Sequence, residues 1–524
     1  MSSRLPRPPV QSALLRSFLN EVQEVAVLAT VSSATLLGVD GHIVEVEVHI
    51  SGGIPGYTIV GLPDTAGRES RERVRAALIS TSIPWPLKRI TVNLSPATVK
   101  KTGAGLELAI ALGLLVSESE LPSDCLDGVG VLGELGLDGS LRPVPGTLVL
   151  ADALAKHGIA TVVVPPANAH EAGLVPGLQV RTAPNLALLC ACLKGEAAWT
   201  DIGPAPPDPD PFDIEPVDLA EVRGLATARL ALEIVASGGH HLLLAGPPGC
   251  GKTMMARRLP TILAPLDPEA AVEVTRIGSV SGGAPPTRLA TTRPFRAPHH
   301  TATTPALVGG GSGRPRPGEV TLAHRGVLFL DELGEFSPVA LNALRQPLEE
   351  GAVRIARQGA SLTFPASFVL IACTNPCPCG RVPLECHCSD AQKARYTRRL
   401  SAPLLDRFDL RLRITGPAAH DPPGESSAVV AARVSGASAR QRDRFRGTPW
   451  RWNREIPANL MDRFAGVSGD ALDAWHLVVQ DGLLTGRGAA RVRRVARTIA
   501  DLAESPLIGG DHLVLAASLR QEIP

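Results

Sequence analysis

One stretch constrains this chain more than any other: HLLLAGPPGCGKTMMARRL, residues 241–259. An apolar run, a glycine-rich turn and a helix-forming segment follow one another without a break. Within it, Gly246-x-x-x-x-Gly251-Lys252-Thr253 has the spacing of a phosphate-binding P-loop. The loop comprises Gly246, Pro247, Pro248, Gly249, Cys250 and Gly251. Its glycines let the backbone approach closely, and its N–H groups, with those of the helix N-terminus, face phosphate oxygens. Lys252 then reaches the β- and γ-phosphates, and Thr253 ligates Mg²⁺.

Such a loop needs an acidic partner at the end of a second apolar strand. RGVLFLDELGEF, residues 325–336, supplies Asp331 for the Mg²⁺ shell and Glu332 as the general base that polarises the attacking water. Together these residues read as an ATPase using ATP and Mg²⁺. A third apolar run, ASFVLIACTNP (366–376), ends in Asn375. In ring ATPases of the AAA+ class a polar residue in that place orients the lytic water; the alternative is a turn cap before Pro376. SAPLLDRFDLRL (401–412) offers Arg407 as a finger for a neighbouring subunit's γ-phosphate, where a guanidinium offsets transition-state charge. LLTGRGAARVRRVARTIADL (483–502) offers Arg487, at a helix start, as a second nucleotide-sensing arginine, while Arg491 and Arg494 read equally as surface. GAVRIARQGASLTFPA (351–366) alternates like a β-hairpin. In rings such a hairpin lines the central pore, so Arg354 and Arg357 read either as facing DNA or as solvated.

The remaining sequence sets these motifs in an α/β, multidomain chain, since single cores seldom exceed about 250–300 residues. Residues 1–30 read as a loosely attached extension. Residues 31–200 alternate strand-like runs such as HIVEVEVHI and ATVVVPP with helical ones such as GLELAIALGLLVS. DIGPAPPDPDPFDIEP (201–216) is a linker, because a Pro/Asp-rich run cannot pack. Residues 217–418 hold the P-loop core, and 419–524 suggest a helical lid. No run of eighteen uncharged apolar residues occurs, so no membrane span is expected. The nine cysteines, an odd number without an export signal, point to a reducing cytoplasm. A net charge of +1 excludes a whole-chain polyelectrolyte. Residues 430–500 nevertheless hold thirteen arginines against six acidic residues, either a phosphate-facing surface or a solvated helical face.

Five of the nine cysteines fall in IACTNPCPCGRVPLECHCSDAQ, residues 371–392. Cys377, Cys379, Cys386 and Cys388 form Cys-x-Cys-x₆-Cys-x-Cys. Four thiolates suit tetrahedral Zn²⁺, although Cys-x-Cys is tighter than the usual spacing and His387 offers a substitute ligand. Two readings stay open: a structural zinc bracing the insertion after Asn375, or a loop without metal. Cys190 and Cys192 lack a partner pair and read as buried small hydrophobes. His299 and His300, in FRAPHHT, have no carboxylate or cysteine at ligand spacing and stay unassigned.

RPFRAPHHTATTPALVGGGSGRPRPGEVTLAHRGVLFLDEL (293–333), TNPCPCG, LLDRFDL and LLGVDGHIVEVEVHISGGIPGYTIVGLPDTAGRESRERVRAAL resemble the magnesium-chelatase-like AAA+ proteins of the ComM/YifB group, over roughly residues 31–515. The resemblance implies a homo-oligomeric ATP-driven ring, a hexamer. For ComM-type members it implies a DNA helicase that drives branch migration in natural transformation. It implies a Lon-protease-like fold for residues 31–200 and a magnesium-chelatase C-terminal type for 419–524. VKKTGAGLELAIAL (99–112) matches the Lon nucleophile turn, but Gly103 stands at the nucleophile position and Leu148 near the lysine position. The domain is therefore read as proteolytically dead, with a displaced dyad from Ser95, Ser140, Lys100 or Lys101 as the alternative. Lys88, Arg89, Lys100 and Lys101 offer a positive surface. Two other classes stay open, a chelatase motor subunit and an ATP-dependent protein-remodelling factor.

Overall fold

The computed structural model describes residues 28–99, 101, 104–205, 217–311, 315–357, 360–381, 385–416, 421–480 and 486–523. Most of the 1–30 extension, most of the 201–216 linker, Lys100, Gly103 and the side chain of Arg357 lie outside them. The chain divides into two units, residues 1–208 with 278–288, and 209–277 with 289–524.

Period-two alternation builds the first unit. Strands β1 (Leu28–Leu37) and β2 (Asp40–Ser51) pair antiparallel across a two-residue turn. Gly38 takes its first place at φ +69°, where a side chain would be strained. Val44, Val46, Val48 and Ile50 are buried along one face of β2. With β3 (Gly56–Val60), β4 (Arg89–Ser95), β5 (Val129–Val131), β6 (Thr161–Val164) and β7 (Gln179–Thr182), they form a mixed sheet in the order β3-β4-β2-β1-β5-β6-β7. Helix Glu107–Ser117 is buried along its whole length, as its unbroken apolar sequence requires. It lies so close to β2 that a Cβ on Gly113 would meet Val48 Cγ2 at 2.6 Å.

The second unit holds β8 (Leu242–Ala245), β9 (Phe295–Arg296), β10 (Val327–Leu330), β11 (Ala352–Arg357), β12 (Ala360–Pro365), β13 (Val369–Thr374) and β14 (Leu410–Arg413). Every residue of β8, β10 and β13 is buried, which marks strands covered on both faces of a parallel sheet. The order is β9-β10-β13-β8-β14, with every pairing parallel. The chain thus leaves β8, builds β9 and β10, and returns to insert β13 between β10 and β8. That return sets the ends of β8, β10 and β13 side by side, where ligands bind in open α/β sheets. The alternating run 351–366 forms the antiparallel hairpin β11–β12.

Helices Ser427–Arg444 and Gly486–Leu502 pack with helix Ala226–Gly238. Asp501, fully buried, accepts from Arg444 Nη1 at 2.7 Å, Arg497 Nη2 at 2.9 Å and Asn453 Nδ2 at 2.8 Å. Much of the arginine excess in 430–500 is therefore matched by carboxylates: Arg433 pairs with Glu233 and Glu425, and Arg493 with Asp462. Among the described residues no helix is long and apolar enough to cross a membrane.

Candidate nucleotide site

The P-loop follows the C-terminal end of β8. Gly249 and Gly251 take φ of +77° and +92°, and Gly251 caps helix Lys252–Arg258. Lys252 is buried, its Nζ donating to the carbonyls of Gly246 at 2.7 Å and Pro247 at 2.8 Å and to Asn375 Oδ1 at 3.3 Å. Asn375 reaches it because β13 runs beside β8. One strand further, Asp331 Oδ2 accepts from Thr253 Oγ1 at 2.8 Å. Lys252, Thr253, Asp331 and Asn375 thus converge from three adjacent strands. Glu332 follows in the left-handed region at φ +51°, with its N–H donating to Asp331 Oδ1 at 3.0 Å. Its carboxylate Oε2 lies 3.2 Å from His300 Nδ1. The thiol of Cys373, at the heart of this edge, is pushed well up by burial and by the nearby Asp331 charge.

The Sγ atoms of Cys377, Cys379, Cys386 and Cys388 lie within 4.8 Å of one another, without His387. Three of the separations are 3.2, 3.5 and 3.7 Å. A tetrahedral zinc with Zn–S near 2.3 Å spaces its sulfurs about 3.8 Å apart, so the donor set fits that ion. The Arg381 N–H, then Cys377, lower the Cys379 thiol to about 6, while burial pushes Cys377 up to about 12. The cysteine loop also touches the phosphate loop. A Cβ built on Gly380 would lie 2.9 Å from Pro248 Cγ and 3.8 Å from Asn375 Nδ2. The next helix, Asp390–Arg399, closes on the other flank: Arg399 Nη1 donates to Gly334 O at 3.0 Å, and Tyr396 OH is 3.3 Å from Thr374 Oγ1.

Arg407 and Arg487 stand elsewhere. They line a cavity of about 720 Å³ together with His241, Glu349, Asp409, Arg454, Arg491 and Arg494. His241 and Asp409 precede β8 and β14, so the cavity opens at the N-terminal strand ends, about 13 Å along β8 from the P-loop edge. Arg407 is buried and paired with Glu349. Its affinity for a proton is lowered by burial first, then by the charges of Arg491, Arg487 and Arg345. Burial alone would raise the Asp409 carboxyl, but His240 and the His241 N–H outweigh it and hold Asp409 below the usual carboxylate range. Arg407 Nε, Arg454 Nε and Arg491 Nη1 are buried without a hydrogen-bond partner among the described residues.

Residues 46–168, 218–421 and 424–520 match three families described as subunit ChlI of Mg-chelatase, magnesium chelatase subunit ChlI, and its C-terminal part. The chain is 41% identical over 500 residues to the uncharacterized protein YifB of Escherichia coli, covering 94% of this chain and 97% of that one. The chain belongs to the magnesium-chelatase-like ComM/YifB family. The competence protein ComM of Haemophilus influenzae is 38% identical over 522 residues, covering 94% of this chain and 97% of its own. An uncharacterized protein of Mycobacterium tuberculosis is 44% identical over 495 residues, covering 93% and 98%. Family membership implies ATP and Mg²⁺, and the hydroxyl–carboxylate pair of Thr253 and Asp331 offers the hard oxygen ligands that Mg²⁺ prefers.

The first unit corrects one expectation. Lys101 is no surface charge: it is 3% exposed, and its Nζ donates to the carbonyls of Pro96 and Val99. Of the alternative dyad residues, Ser140 Oγ donates to Asp138 at 2.6 Å, and Leu148 is buried. Lys88 pairs with Glu118 at 3.4 Å, while Arg89 is exposed. Cys190 and Cys192 are buried. Sequence reasoning left His300 unassigned and missed Gly380, Tyr396 and Arg454, whose contacts come from strands and loops distant along the chain.

Proposed function

We propose that the chain is an ATP-hydrolysing AAA+ ring motor whose active site is completed by a second copy, and that its substrate is DNA. One observation carries the first part. Arg407 and Arg487, expected to meet a γ-phosphate, line a cavity at the strand edge opposite their own P-loop, where Arg407 Nε, Arg454 Nε and Arg491 Nη1 are buried without a hydrogen-bond partner among the described residues. Unpaired buried donors are costly, and an anion supplied by another subunit satisfies them. In this reading Lys252 and the loop N–H groups hold the β- and γ-phosphates, and Thr253 and Asp331 hold the metal. An ion held by Thr253 and Asp331 would supply positive charge against the phosphates. Asn375 orients the lytic water, Glu332 takes its proton, and Arg407 and Arg487 stabilise the charge on a neighbour's nucleotide.

The DNA part rests on two supports. ComM, a relative across nearly the whole chain, is named a competence protein. Hairpin β11–β12 presents Arg354 with its side chain 63% exposed, although Glu350 lies 3.4 Å away. We further read residues 31–200 as a Lon-protease-like domain without its dyad, 217–418 as the core, 419–524 as a helical lid, and the four cysteines as a structural zinc site.

ATP turnover measured with and without single-stranded and forked DNA tests the whole reading. DNA stimulation supports it; turnover indifferent to DNA returns the chain to a chelatase-type or protein-remodelling motor. Mixing Arg407→Ala with Lys252→Ala subunits should restore activity that neither has alone. Failure of that rescue removes the shared site.

A further inference from the structure

Helix Asp390–Arg399 is polar along most of its length and buries one side chain, Tyr396. A buried tyrosine needs a partner for its hydroxyl. Here the partner is Thr374 Oγ1, 3.3 Å away on the last residue of β13, directly before Asn375. Thr374 is 1% exposed and donates its hydroxyl hydrogen to Asn375 O at 3.2 Å. A threonine hydroxyl has one hydrogen to give, so the bond between the two hydroxyls is donated by the tyrosine. Burial raises the affinity of Tyr396 for its proton, while Thr374 and the Asn375 N–H lower it, which places both backbone polar groups of Asn375 at this pair. The Thr374 carbonyl meanwhile accepts from Gly246 N, the first residue of the phosphate loop, at 3.2 Å. The tyrosine ring fills the space over Gly334, in the turn after Asp331, where a Cβ would lie 2.5 Å from the tyrosine oxygen. One turn on, Arg399 Nη1 donates to Gly334 O at 3.0 Å and holds the helix in place.

We infer that Tyr396 is a positioning residue: it closes a chain of hydrogen bonds, Tyr396 OH to Thr374 Oγ1 to Asn375 O, and so fixes the direction in which the Asn375 amide meets the lytic water. The inference rests on the reading of Asn375 as the residue that orients that water. Asn375 needs such a brace. The pairing of β13 with β8 ends at Thr374, one residue too early to hold it. Pro376 follows, and its nitrogen carries no hydrogen with which to fix the turn. The Asn375 side-chain oxygen meets Lys252 Nζ at a long 3.3 Å. Without the tyrosine hydroxyl, Thr374 Oγ1 loses its donor, and the Asn375 N–H faces an apolar ring. A positioning group displaced by about 1 Å can cost roughly a hundredfold in rate. The phosphate grip of Lys252, Thr253 and the loop N–H groups keeps all its atoms.

The test is steady-state ATP turnover by the full chain, with the affinity for a non-hydrolysable ATP analogue measured alongside. Tyr396→Phe keeps the ring over Gly334 and removes the hydroxyl alone. It should lower kcat roughly five- to a hundredfold, the span from one net hydrogen bond to a 1 Å misplacement, at unchanged analogue affinity. Thr374→Val, which keeps the shape without the hydroxyl, should do the same, and Thr374→Ser should recover most of that loss. The Thr374 variants decide the matter if Tyr396→Phe loses its fold. The double variant Tyr396→Phe with Thr374→Val should be little slower than either single one, because both break the same chain. An unchanged kcat in Tyr396→Phe, a matching loss of kcat and analogue affinity, or losses that multiply in the double variant overturn the inference. Asn375→Ala separates the two levels. If it hydrolyses ATP near the wild-type rate, the reading of Asn375 fails and takes the brace with it. If it is slow while Tyr396→Phe is as fast as wild type, Asn375 stands and only the role of Tyr396 falls.

Discussion

Replacing Gly380 with alanine probes the contact between the cysteine loop and the phosphate loop. Gly380 has φ +73°, a conformation that costs a residue with a side chain about 1 kcal/mol. The new Cβ would sit 2.9 Å from Pro248 Cγ and 3.1 Å from its Cδ. Carbon atoms rest about 3.5–4.0 Å apart, so one loop must retreat by roughly 0.5–1 Å. Overpacking of that kind costs about 1–3 kcal/mol. If half of a total near 2–4 kcal/mol falls on the phosphate loop, ATP affinity drops roughly five- to thirtyfold. Titration with a fluorescent, non-hydrolysable ATP analogue reads this directly. Gly447→Ala is the matched control: its φ is +78° and nothing lies within 4 Å of its Cβ, so it repeats the backbone strain without the contact. The reasoning is wrong if Gly380→Ala binds the analogue as tightly as wild type, or if Gly447→Ala loses as much.

Two further outcomes are expected. Elemental analysis of protein purified without chelator should find about one zinc per chain, falling toward zero in Cys386→Ser with a lower melting temperature; a fully folded, metal-free wild type would dismiss the zinc site. The Glu273 carboxyl is held down to about 2 by His324, against burial, with help from Arg325. Because its folded value is depressed, the stabilisation is present above the ordinary value of 4.5 and is lost as pH falls toward 2. The Glu273 side chain is 38% exposed, so solvent screening cuts the effect to about 1–2 kcal/mol. Denaturant midpoints at pH 6 and pH 3 should converge for wild type and Glu273→Gln at the lower pH, and an equal gap at both would remove the ion pair from the account.

What the sequence made legible was chemistry that neighbouring residues specify together. Gly246 to Thr253 encode a loop geometry within eight positions, and the apolar runs ending at Asp331 and Asn375 announce buried parallel strands by composition alone. The order β9-β10-β13-β8-β14 was not legible, because it depends on where each strand finds an edge. With it went every contact that adjacency creates. His300 lies 32 positions before Glu332, and nothing in FRAPHHT signals that β9 will pair with β10. Arg454 joins the Arg407 cavity from a turn more than forty residues downstream. Lys101 looked like surface charge because charge usually is; only the fold shows two carbonyls capturing its ammonium. The four cysteines were legible as a set, while the support that Gly380 gives Pro248 was not, since glycine has no side chain to advertise it.

In the proposed shared-site reading the two half-sites of this sheet face away from each other, the P-loop at one rim and the arginine cluster at the other. Two such molecules related by a twofold axis cannot join both halves through a single shared interface. Only head-to-tail stacking can, and that geometry either closes on itself or grows without end. If the shared site proposed above is right, the curvature between successive copies, rather than the strength of any one contact, would decide whether the chain makes a closed machine or a fibre.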